Sequence, residues 1–347
     1  MRVRADKAFR RIAVLRLSSL GDVILTLPVV RALARELPDA HLTYWTKEEY
    51  QDVVRFEPSI AHVRVLEKDA RSIEHLVSMA AELEDCDLIV DLHRNLRTRV
   101  LCFRQKATLL RAPSYRLWRE RWVRARWTRP APLPHALERY AAALRPLGIR
   151  VEEVPRVEAG EEAEAWAASW LADWSPPAPP LALCPGAAHF TKRWPESHWL
   201  QLHEHLRHAG RSLIYFSVAG ERTALPILAQ RVESDPGARW CLEPLPRMAA
   251  LLSRCAAAVA CDSGLMHLAA SRGVPVVAMF GSTAPELGFA PAGEGHRILC
   301  RHEPCQPCTV HGRPVCPKRH FNCMVKLTPE EVAKAVPSSR EAAVARQ

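Results

Sequence analysis

Three short segments of this chain contain residue types that bind phosphate groups or transfer protons. In residues 262–270, Ser263 and Gly264 open a helical pattern directly after an apolar run. The first backbone N–H groups of a helix lack partners within it, and the helix dipole favours negative charge. The turn therefore suits a phosphate group. Asp262 and Ser263 are also ordinary helix-capping residues, so the sequence alone leaves both interpretations open.

A carboxylate occupies a similar turn near the N-terminus. Asp22 follows Ser19 and Gly21 where a strand pattern gives way to a helical pattern. An aspartate at such a place is commonly a cap, but a positioned carboxylate also serves as a general base. The third segment, residues 184–199, contains Thr191 and Lys192 after a short apolar run. A hydroxyl and an ammonium group could bind an anion there, or they could belong to a basic loop in water.

The elements around these segments alternate between strand and helix patterns. Strands are predicted at residues 11–17, 41–45, 63–66 and 88–92, and after a proline-rich stretch at 181–184, 213–218, 257–261 and 274–280. Such alternation predicts an α/β protein with doubly wound parallel sheets. Ligands bind such sheets outside the carboxyl ends of the strands, which is where Asp22, Lys192 and Ser263 are expected.

Composition indicates a globular protein with enough residues for two domains. The chain has 347 residues, of which 48% are hydrophobic and 25% charged. No apolar stretch reaches the length of a membrane span, and no signal peptide is recognised, so a cytoplasmic protein is expected.

Positive charge is concentrated in residues 94–129. The net charge is +10, and this stretch has twelve Lys or Arg residues and one acid, together with Trp118, Trp122 and Trp127. It predicts an anionic partner, whether nucleic acid, a membrane surface or an anionic acceptor. Tryptophans among arginines favour a membrane interface, and a solvated basic helix pair is the alternative.

The cysteines indicate a separate metal site. Four of the eleven could form a tetrahedral zinc or iron site, or a loop of reduced thiols: Cys305, Cys308, Cys316 and Cys323. Asp85 and Asp87 also have a metal-binding spacing, but they lie at the amino end of a predicted strand. No cofactor is therefore expected to be required for catalysis.

In their order and spacing, these segments resemble glycosyltransferase family 9, the ADP-heptose:lipopolysaccharide heptosyltransferases. The resemblance rests on residues 18–23 with 27–28, on 185–186 with 192–195 and Trp199, and on 262–270, and it extends over residues 10–335. The pattern looks most similar to heptosyltransferase II. It implies a GT-B architecture, with two doubly wound Rossmann-like domains facing a central cleft. An acceptor-binding domain is expected at residues 1–175, a nucleotide-sugar domain at 176–330 and a C-terminal helix and tail at 331–347.

The resemblance also implies a reaction and its residues. An inverting enzyme would move heptose from ADP-heptose to the lipid A-linked inner core of lipopolysaccharide, with Asp22 as general base. It would act at the cytoplasmic face of the inner membrane, in peripheral contact with that anionic surface. The donor-binding residues expected are Thr191, Lys192, Glu221, Met248, Asp262, Ser263, Gly264 and His267. The acceptor-binding residues expected are Ser19, Gly21, Arg94 and Arg97.

Three other functions compete with this one. The same scaffold could use a different nucleotide sugar or acceptor, or it could bind a nucleotide sugar without turnover. A nucleic-acid-binding protein with a zinc knuckle would explain the basic stretch and the cysteines, and would show salt-dependent binding. That hypothesis leaves Asp22 and Lys192 unexplained, so a nucleic-acid partner is not expected.

Overall fold

The structure is a computed structural model that describes residues 9–66, 72–128, 130–218 and 220–338. The charged N-terminal residues 1–7, Arg129 at the end of the basic stretch and residues 339–347 of the predicted tail lie outside the described residues. Within the described part, the chain forms two parallel sheets with helices between successive strands. The predicted α/β class is confirmed.

The first sheet has the strand order β3-β2-β1-β4-β5. Its strands are β1 (Arg11–Leu15), β2 (His41–Lys47), β3 (His62–Leu66), β4 (Leu88–Asp91) and β5 (Thr108–Arg111). All neighbouring pairs are parallel. From β1 the chain moves outward through β2 and β3, and then crosses to β4 on the other side. The carboxyl ends of β1 and β4 therefore form the switch point at which such sheets bind ligands.

The second sheet repeats this arrangement with one more strand. Its order is β11-β10-β9-β6-β7-β8, again with parallel neighbours. Its strands are β6 (Leu181–Cys184), β7 (Leu213–Phe216), β8 (Ala238–Cys241), β9 (Ala257–Cys261), β10 (Val276–Phe280) and β11 (Arg297–Cys300). The switch point lies between β6 and β9. Both central strands are fully buried, as expected for a parallel sheet covered on both faces.

Helices connect the strands and supply the remaining core. They are α1 (Leu20–Glu36), α2 (Gln51–Val54), α3 (Ile73–Ala80), α4 (Leu96–Leu101), α5 (Arg116–Arg124), α6 (Ala136–Ala141), α7 (Glu161–Trp174), α8 (Glu196–His208), α9 (Pro226–Glu233), α10 (Leu245–Leu252), α11 (Gly264–Ser271), α12 (Asn322–Val325) and α13 (Pro329–Ala335). Helix α13 packs against α8, and Val332 joins the core of the second sheet. None of the helices in the described part of the chain is long and apolar enough to cross a membrane.

Contacts divide the chain into two units. Of the described residues, one unit contains those up to 115 and those in 134–158, and the other contains those in 116–133 and those from 159 onward. Helix α7 groups with the second unit, whereas the sequence prediction placed residues up to 175 in the first domain. The ion pairs that Glu164 forms with Arg254 and Arg272, at 3.5 and 2.5 Å, hold α7 there.

Each of the eight predicted strands overlaps an observed one. The three strands that were not predicted are β5, β8 and β11, and all three lie at sheet edges. Each has only four residues and includes an arginine. Edge strands do not need the continuous apolar run that identifies a buried strand, so the sequence pattern missed them.

Candidate active site

Three of the predicted site residues, Asp22, Lys192 and Asp262, lie at the two switch points. Asp22 is in the first turn of α1, which follows β1. Lys192 lies in the connection between β6 and α8, and Asp262 directly follows β9. Each sheet therefore presents its chemistry at the carboxyl ends of its central strands, as the fold class predicts.

Four interactions surround the Asp22 carboxylate. Its Oδ2 atom accepts hydrogen bonds from the Ser19 hydroxyl at 2.7 Å and the Ser19 N–H at 3.3 Å. The same oxygen pairs with Arg16 Nη2 at 2.8 Å. The hydroxyl of Tyr140 donates to Oδ1 at 2.5 Å. Ser19 caps α1, and Gly21 is buried beside it, so both expected acceptor residues belong to the turn that positions Asp22.

These contacts keep Asp22 ionised. Burial alone would raise the pKa of this carboxyl group, but Arg16 and the hydrogen bonds from Tyr140 and Ser19 outweigh burial and hold the pKa well below its usual range. The nearby imidazole of His93 is neutral, because burial and then the charge of Arg16 lower its pKa to about 4. The site thus presents one stable negative charge that is partly open to solvent.

Arg94 lies beyond β4, on the same edge of the sheet. It has a left-handed backbone (φ 55°), stabilised by Asp91, whose Oδ1 atom accepts from the N–H groups of His93 and Arg94 at 3.1 and 2.7 Å. Asp91 is fully buried and also accepts from the Thr98 hydroxyl. Arg97 is half-buried on α4.

Four arginines surround a cavity of about 360 Å³ at this edge. Arg94, Arg99, Arg104 and Arg111 line it, together with Cys102 and Phe103. Arg111 is 3.8 Å from Asp91, which is the one carboxylate paired with these arginines in the described part of the chain. The cavity is therefore strongly cationic and suited to an anionic group. Arg97 does not line it.

Lys192 and Asp262 form the centre of the second site. Lys192 Nζ lies 2.8 Å from Asp262 Oδ2, and the Thr283 hydroxyl donates to the same oxygen at 2.6 Å. Asp262 is only 6% exposed. Asp262 therefore fixes the lysine ammonium beside the N-terminus of α11.

The start of α11 has the features of an anion site. Ser263 is the N-cap and Gly264 the first helical residue. The Ser263 hydroxyl is buried and has no hydrogen-bond partner among the described residues. A buried hydroxyl without a partner is costly, and an anion at this N-terminus would satisfy it. His267 lies one turn further along α11 and is buried.

Glu221 also lies at this edge, after β7. Its Oε2 atom accepts from the N–H of Val218 at 3.1 Å, and burial raises its pKa. Its carboxylate occupies the space where Gly186 lacks a side chain, because a Cβ atom on Gly186 would be 2.0 Å from it. Met248 is 2% exposed within α10, so it packs in the core of the structure as it stands.

Thr191 is committed to structural contacts. Its hydroxyl lies 2.8 Å from that of Ser282, and it also accepts from the N–H of Arg313 at 2.8 Å. The residue is 1% exposed. Thr191 therefore links the cysteine-rich segment, residues 300–323, by hydrogen bonds to the loop that contains Lys192.

The four predicted metal ligands meet at one small cavity. Cys305, Cys308, Cys316 and Cys323 line it, along with Thr191 and His320. All four are free thiols. Within the described residues, however, no three His, Cys, Asp or Glu side chains are arranged to hold a metal ion. The donor types fit zinc or iron, but the thiols would have to move closer together to coordinate it.

Sequence reasoning missed Arg16, Tyr140 and Thr283 as site residues. Arg16 lies just before the motif at residues 18–23, and its type could have indicated a partner for Asp22. Thr283 lies well beyond the motif at 262–270, and the pairing of β9 with β10 brings it to Asp262. Tyr140 is 118 residues from Asp22 and lies on the short helix α6, which no motif in the sequence includes.

The basic stretch continues into an exposed amphipathic helix. On α5, Leu117 and Trp118 are 72% and 58% exposed and lie among exposed arginines. Trp122 is buried, and its indole N–H donates to the carbonyl of Ala131 at 3.0 Å. Trp122 therefore anchors helix α5, whereas Trp118 is exposed to solvent.

Comparison with known proteins agrees with the resemblance. The sequence profile of glycosyltransferase family 9 (heptosyltransferase) matches residues 77–318. Lipopolysaccharide heptosyltransferase 1 of Pseudomonas aeruginosa is 30% identical over 322 residues, which cover 86% of each chain. Lipopolysaccharide heptosyltransferase 2 of Salmonella typhimurium is 33% identical, but over only 31% of this chain and 33% of its own. The match over most of the chain is therefore to a type 1 protein rather than the expected type 2.

Solved structures share the fold. A family 9 glycosyltransferase from Veillonella parvula is similar with a TM-score of 0.77 at 24% identity, covering 96% of this chain and 97% of its own. The ADP-heptose lipopolysaccharide heptosyltransferase II of Escherichia coli has a TM-score of 0.69 at 18% identity, covering 94% and 97%. The two Rossmann-like sheets are thus those of GT-B heptosyltransferases. Together with the site at each switch point, these matches show that the chain belongs to glycosyltransferase family 9, the heptosyltransferases.

Proposed function

We propose that this enzyme transfers heptose from ADP-heptose to a lipid-linked acceptor of the lipopolysaccharide inner core, with inversion. The observation that carries the proposal is the buried hydroxyl of Ser263 at the start of α11, which has no hydrogen-bond partner within the described part of the chain, with Lys192 held nearby by Asp262. The names of the matched relatives support the substrate class.

The second unit would bind the donor. The diphosphate would accept hydrogen bonds from the Ser263 hydroxyl and the first N–H groups of α11, starting at Gly264. Lys192 would exchange part of its pairing with Asp262 for the phosphate oxygens, and would offset the negative charge that develops on the leaving diphosphate. Glu221 lies at the end of β7, where a carboxylate can accept hydrogen bonds from ribose hydroxyls. His267 would contact the phosphate or the sugar.

Asp22 of the first unit would act as general base. The acceptor oxygen forms a bond to the anomeric carbon while the bond from that carbon to the phosphate oxygen breaks, and the electron pair leaves with ADP. The acceptor proton passes to Asp22. A single displacement of this kind inverts the configuration at the anomeric carbon. No metal is needed in this scheme, since Lys192 and the helix N-terminus neutralise the leaving group.

The arginine-lined cavity would hold the anionic part of the acceptor. Arg94 contributes to this cavity, and Arg97 lies on the neighbouring helix α4. Several guanidinium groups around a space of about 360 Å³ suit carboxylate or phosphate substituents. A lipid-linked acceptor also favours peripheral binding to the cytoplasmic face of the inner membrane, for which the exposed α5 side chains are suited.

The cysteine-rich segment would support the donor loop. Its contact with Thr191 fixes the loop that presents Lys192, and the side-chain amide of Gln306 donates to the carbonyls of Phe280, Gly281 and Thr283. We propose that the four cysteines at its centre bind structural zinc or iron, which would fix this support more firmly.

Calorimetric titration with ADP tests the donor proposal, and separate titrations with UDP and GDP serve as controls. We expect selective ADP binding that weakens roughly ten- to a hundredfold in Lys192→Ala, since a charge-assisted hydrogen bond contributes about 1.5–3 kcal/mol. Lys326→Ala is the matched control, because Lys326 pairs with Glu303 at 2.9 Å in the same unit. Tighter UDP or GDP binding would identify a different nucleotide-sugar donor, and the absence of binding would reject the assignment.

A further inference from the structure

Tyr140 contacts the proposed base although no motif includes it. It lies on α6, which packs against α1, and it is 6% exposed. Its hydroxyl donates to Asp22 Oδ1 at 2.5 Å. The Arg16 guanidinium, which pairs with the other carboxylate oxygen, lies over the Tyr140 ring at 5.1 Å from its centre. The three side chains therefore form one connected group.

The two oxygens of Asp22 are in different situations. Oδ2 receives Arg16 and both donors of Ser19, so its acceptor positions are filled. Oδ1 receives only Tyr140 among the described residues. A carboxylate has about four acceptor positions, two on each oxygen. One position on Oδ1 therefore remains for the hydroxyl group of an acceptor, and the bond to Tyr140 determines where it points.

Arg16 fixes the other side of the group. Its Nη1 atom donates to the carbonyl of Leu92 at 2.8 Å, so it bridges the ends of β1 and β4. The phenol cannot readily become an anion that would repel Asp22, because burial raises the pKa of Tyr140 although Arg16 opposes this. Tyr140 consequently remains a hydrogen-bond donor over the working pH range.

We propose that Tyr140 is a positioning residue for the general base, orienting Asp22 Oδ1 toward the acceptor hydroxyl. The inference rests on the proposed role of Asp22. It assigns Tyr140 no contact with the reacting atoms: during transfer the acceptor proton moves to Oδ1, and the phenol keeps its own proton.

Removing the phenol oxygen should change both the rate and its pH dependence. In Tyr140→Phe the ring remains against Arg16, but Oδ1 loses its donor. We expect kcat to fall about tenfold or more, but by less than the ~10²–10⁴-fold that a positioned base contributes, with little change in the KM for the donor. Loss of a donor to the ionised form raises the pKa of Asp22, so the acid limb of kcat/KM should move to higher pH.

Other groups near Asp22 must be separated from this effect. Tyr44→Phe is the matched control, because Tyr44 is fully buried in the same unit and its hydroxyl contacts that of Thr26 at 2.6 Å rather than the carboxylate. It should leave the acid limb in place. The titratable groups that act on Asp22 or respond to its charge are Arg16 after β1, Tyr44 on β2, Tyr50 before α2, His93 after β4 and Tyr140 on α6.

Asp22→Asn, alone and combined with Tyr140→Phe, completes the experiment. If Tyr140 acts through Asp22, the double variant should be no slower than Asp22→Asn. A wild-type rate and pH profile in Tyr140→Phe, together with an inactive Asp22→Asn, would overturn the proposed role of Tyr140. The assignment of Asp22 as the general base would then still hold. Full turnover in Asp22→Asn would reject both the role of Asp22 as general base and the role of Tyr140. Melting curves and ADP titration of each variant show that a lost rate does not reflect lost folding, and an equal loss in Tyr44→Phe would also count against the proposal.

Discussion

The contacts around the Asp22 carboxylate have two opposing effects on it as a proton acceptor. Arg16, Ser19 and Tyr140 keep it ionised, and the same contacts make it a weaker base than an isolated carboxylate. A general base works best with a pKa near the working pH, so strong basicity is not what would suit Asp22 to its proposed role. The contacts instead provide a fixed orientation, which is valuable because a misplaced reacting group loses much of its effect. Proton transfer should then occur late, when the acceptor oxygen has already begun to bond and become acidic.

Asp22→Ala should abolish transfer while leaving donor binding intact. Loss of the base should lower kcat by a factor of 10²–10⁴, the usual contribution of a general base. ADP affinity should stay unchanged, because the proposed phosphate contacts are all in the second unit. Turnover assays and calorimetry measure the two effects. Asp85→Ala is the control, since Asp85 is an exposed aspartate bonded to Arg11 in the same unit. Wild-type turnover in Asp22→Ala would remove Asp22 from the mechanism.

Sequence reasoning at this scale works for residues that share a turn and fails for distant partners. Asp22, Ser19 and Gly21 are adjacent in the chain, so a strand-to-helix turn predicts their proximity. Lys192 and Asp262 are 70 positions apart, but both follow central strands, so the sheet order explains their contact. Tyr140 reaches Asp22 only through the packing of α6 on α1, which no local pattern encodes. Thr191 was expected to bind the donor, and the structure shows its hydroxyl engaged by Ser282 and Arg313.

At the scale of elements, the cysteine-rich segment is connected by hydrogen bonds to the loops that follow β6 and β10 of the second sheet. The N–H of Cys308 donates to the carbonyl of Ser282 after β10, and the N–H of Thr191 after β6 donates to that of Arg313. Phe321 stacks on Phe190 with ring centres 5.1 Å apart. These contacts connect the segment to the loop of Lys192, so its conformation should influence donor binding.

Elemental analysis of protein purified without added metal tests the proposed centre in this segment. We expect stoichiometric zinc or iron, retained in Cys86→Ser and lost in a variant with both Cys305→Ser and Cys308→Ser. Cys86 is a matched control, because it is a half-buried free thiol in the first unit. A metal content that is only a small fraction of an equivalent in the wild-type protein would reject the site and identify the segment as a reduced thiol loop.

On the scale of the whole molecule, the charge distribution predicts where the enzyme works. The net charge is +10, and the exposed Leu117 and Trp118 lie in the most basic stretch. Apolar side chains surrounded by arginines bind anionic lipid surfaces through both insertion and charge attraction.

Flotation with vesicles containing an anionic phospholipid measures this association. The protein should float with the vesicles at low salt and be released as salt screens the charges. Replacing Leu117 and Trp118 by Ser should reduce the bound fraction, whereas Ile227→Ser, an exposed apolar position 60% accessible on α9, should not. Protein that remains soluble at low salt would contradict membrane association.

Each sheet carries its proposed site residues at a switch point, and the side chains that fix those residues belong to the same unit. In the first unit Asp22 contacts Arg16 and Tyr140, and in the second unit Asp262 contacts Lys192 and Thr283. Natural selection can therefore alter one half without disturbing the other. If the proposed roles hold, recombination between family members, or point changes in the loops after β6 and β9, would change the sugar donor and leave the proposed proton acceptor, Asp22, unchanged.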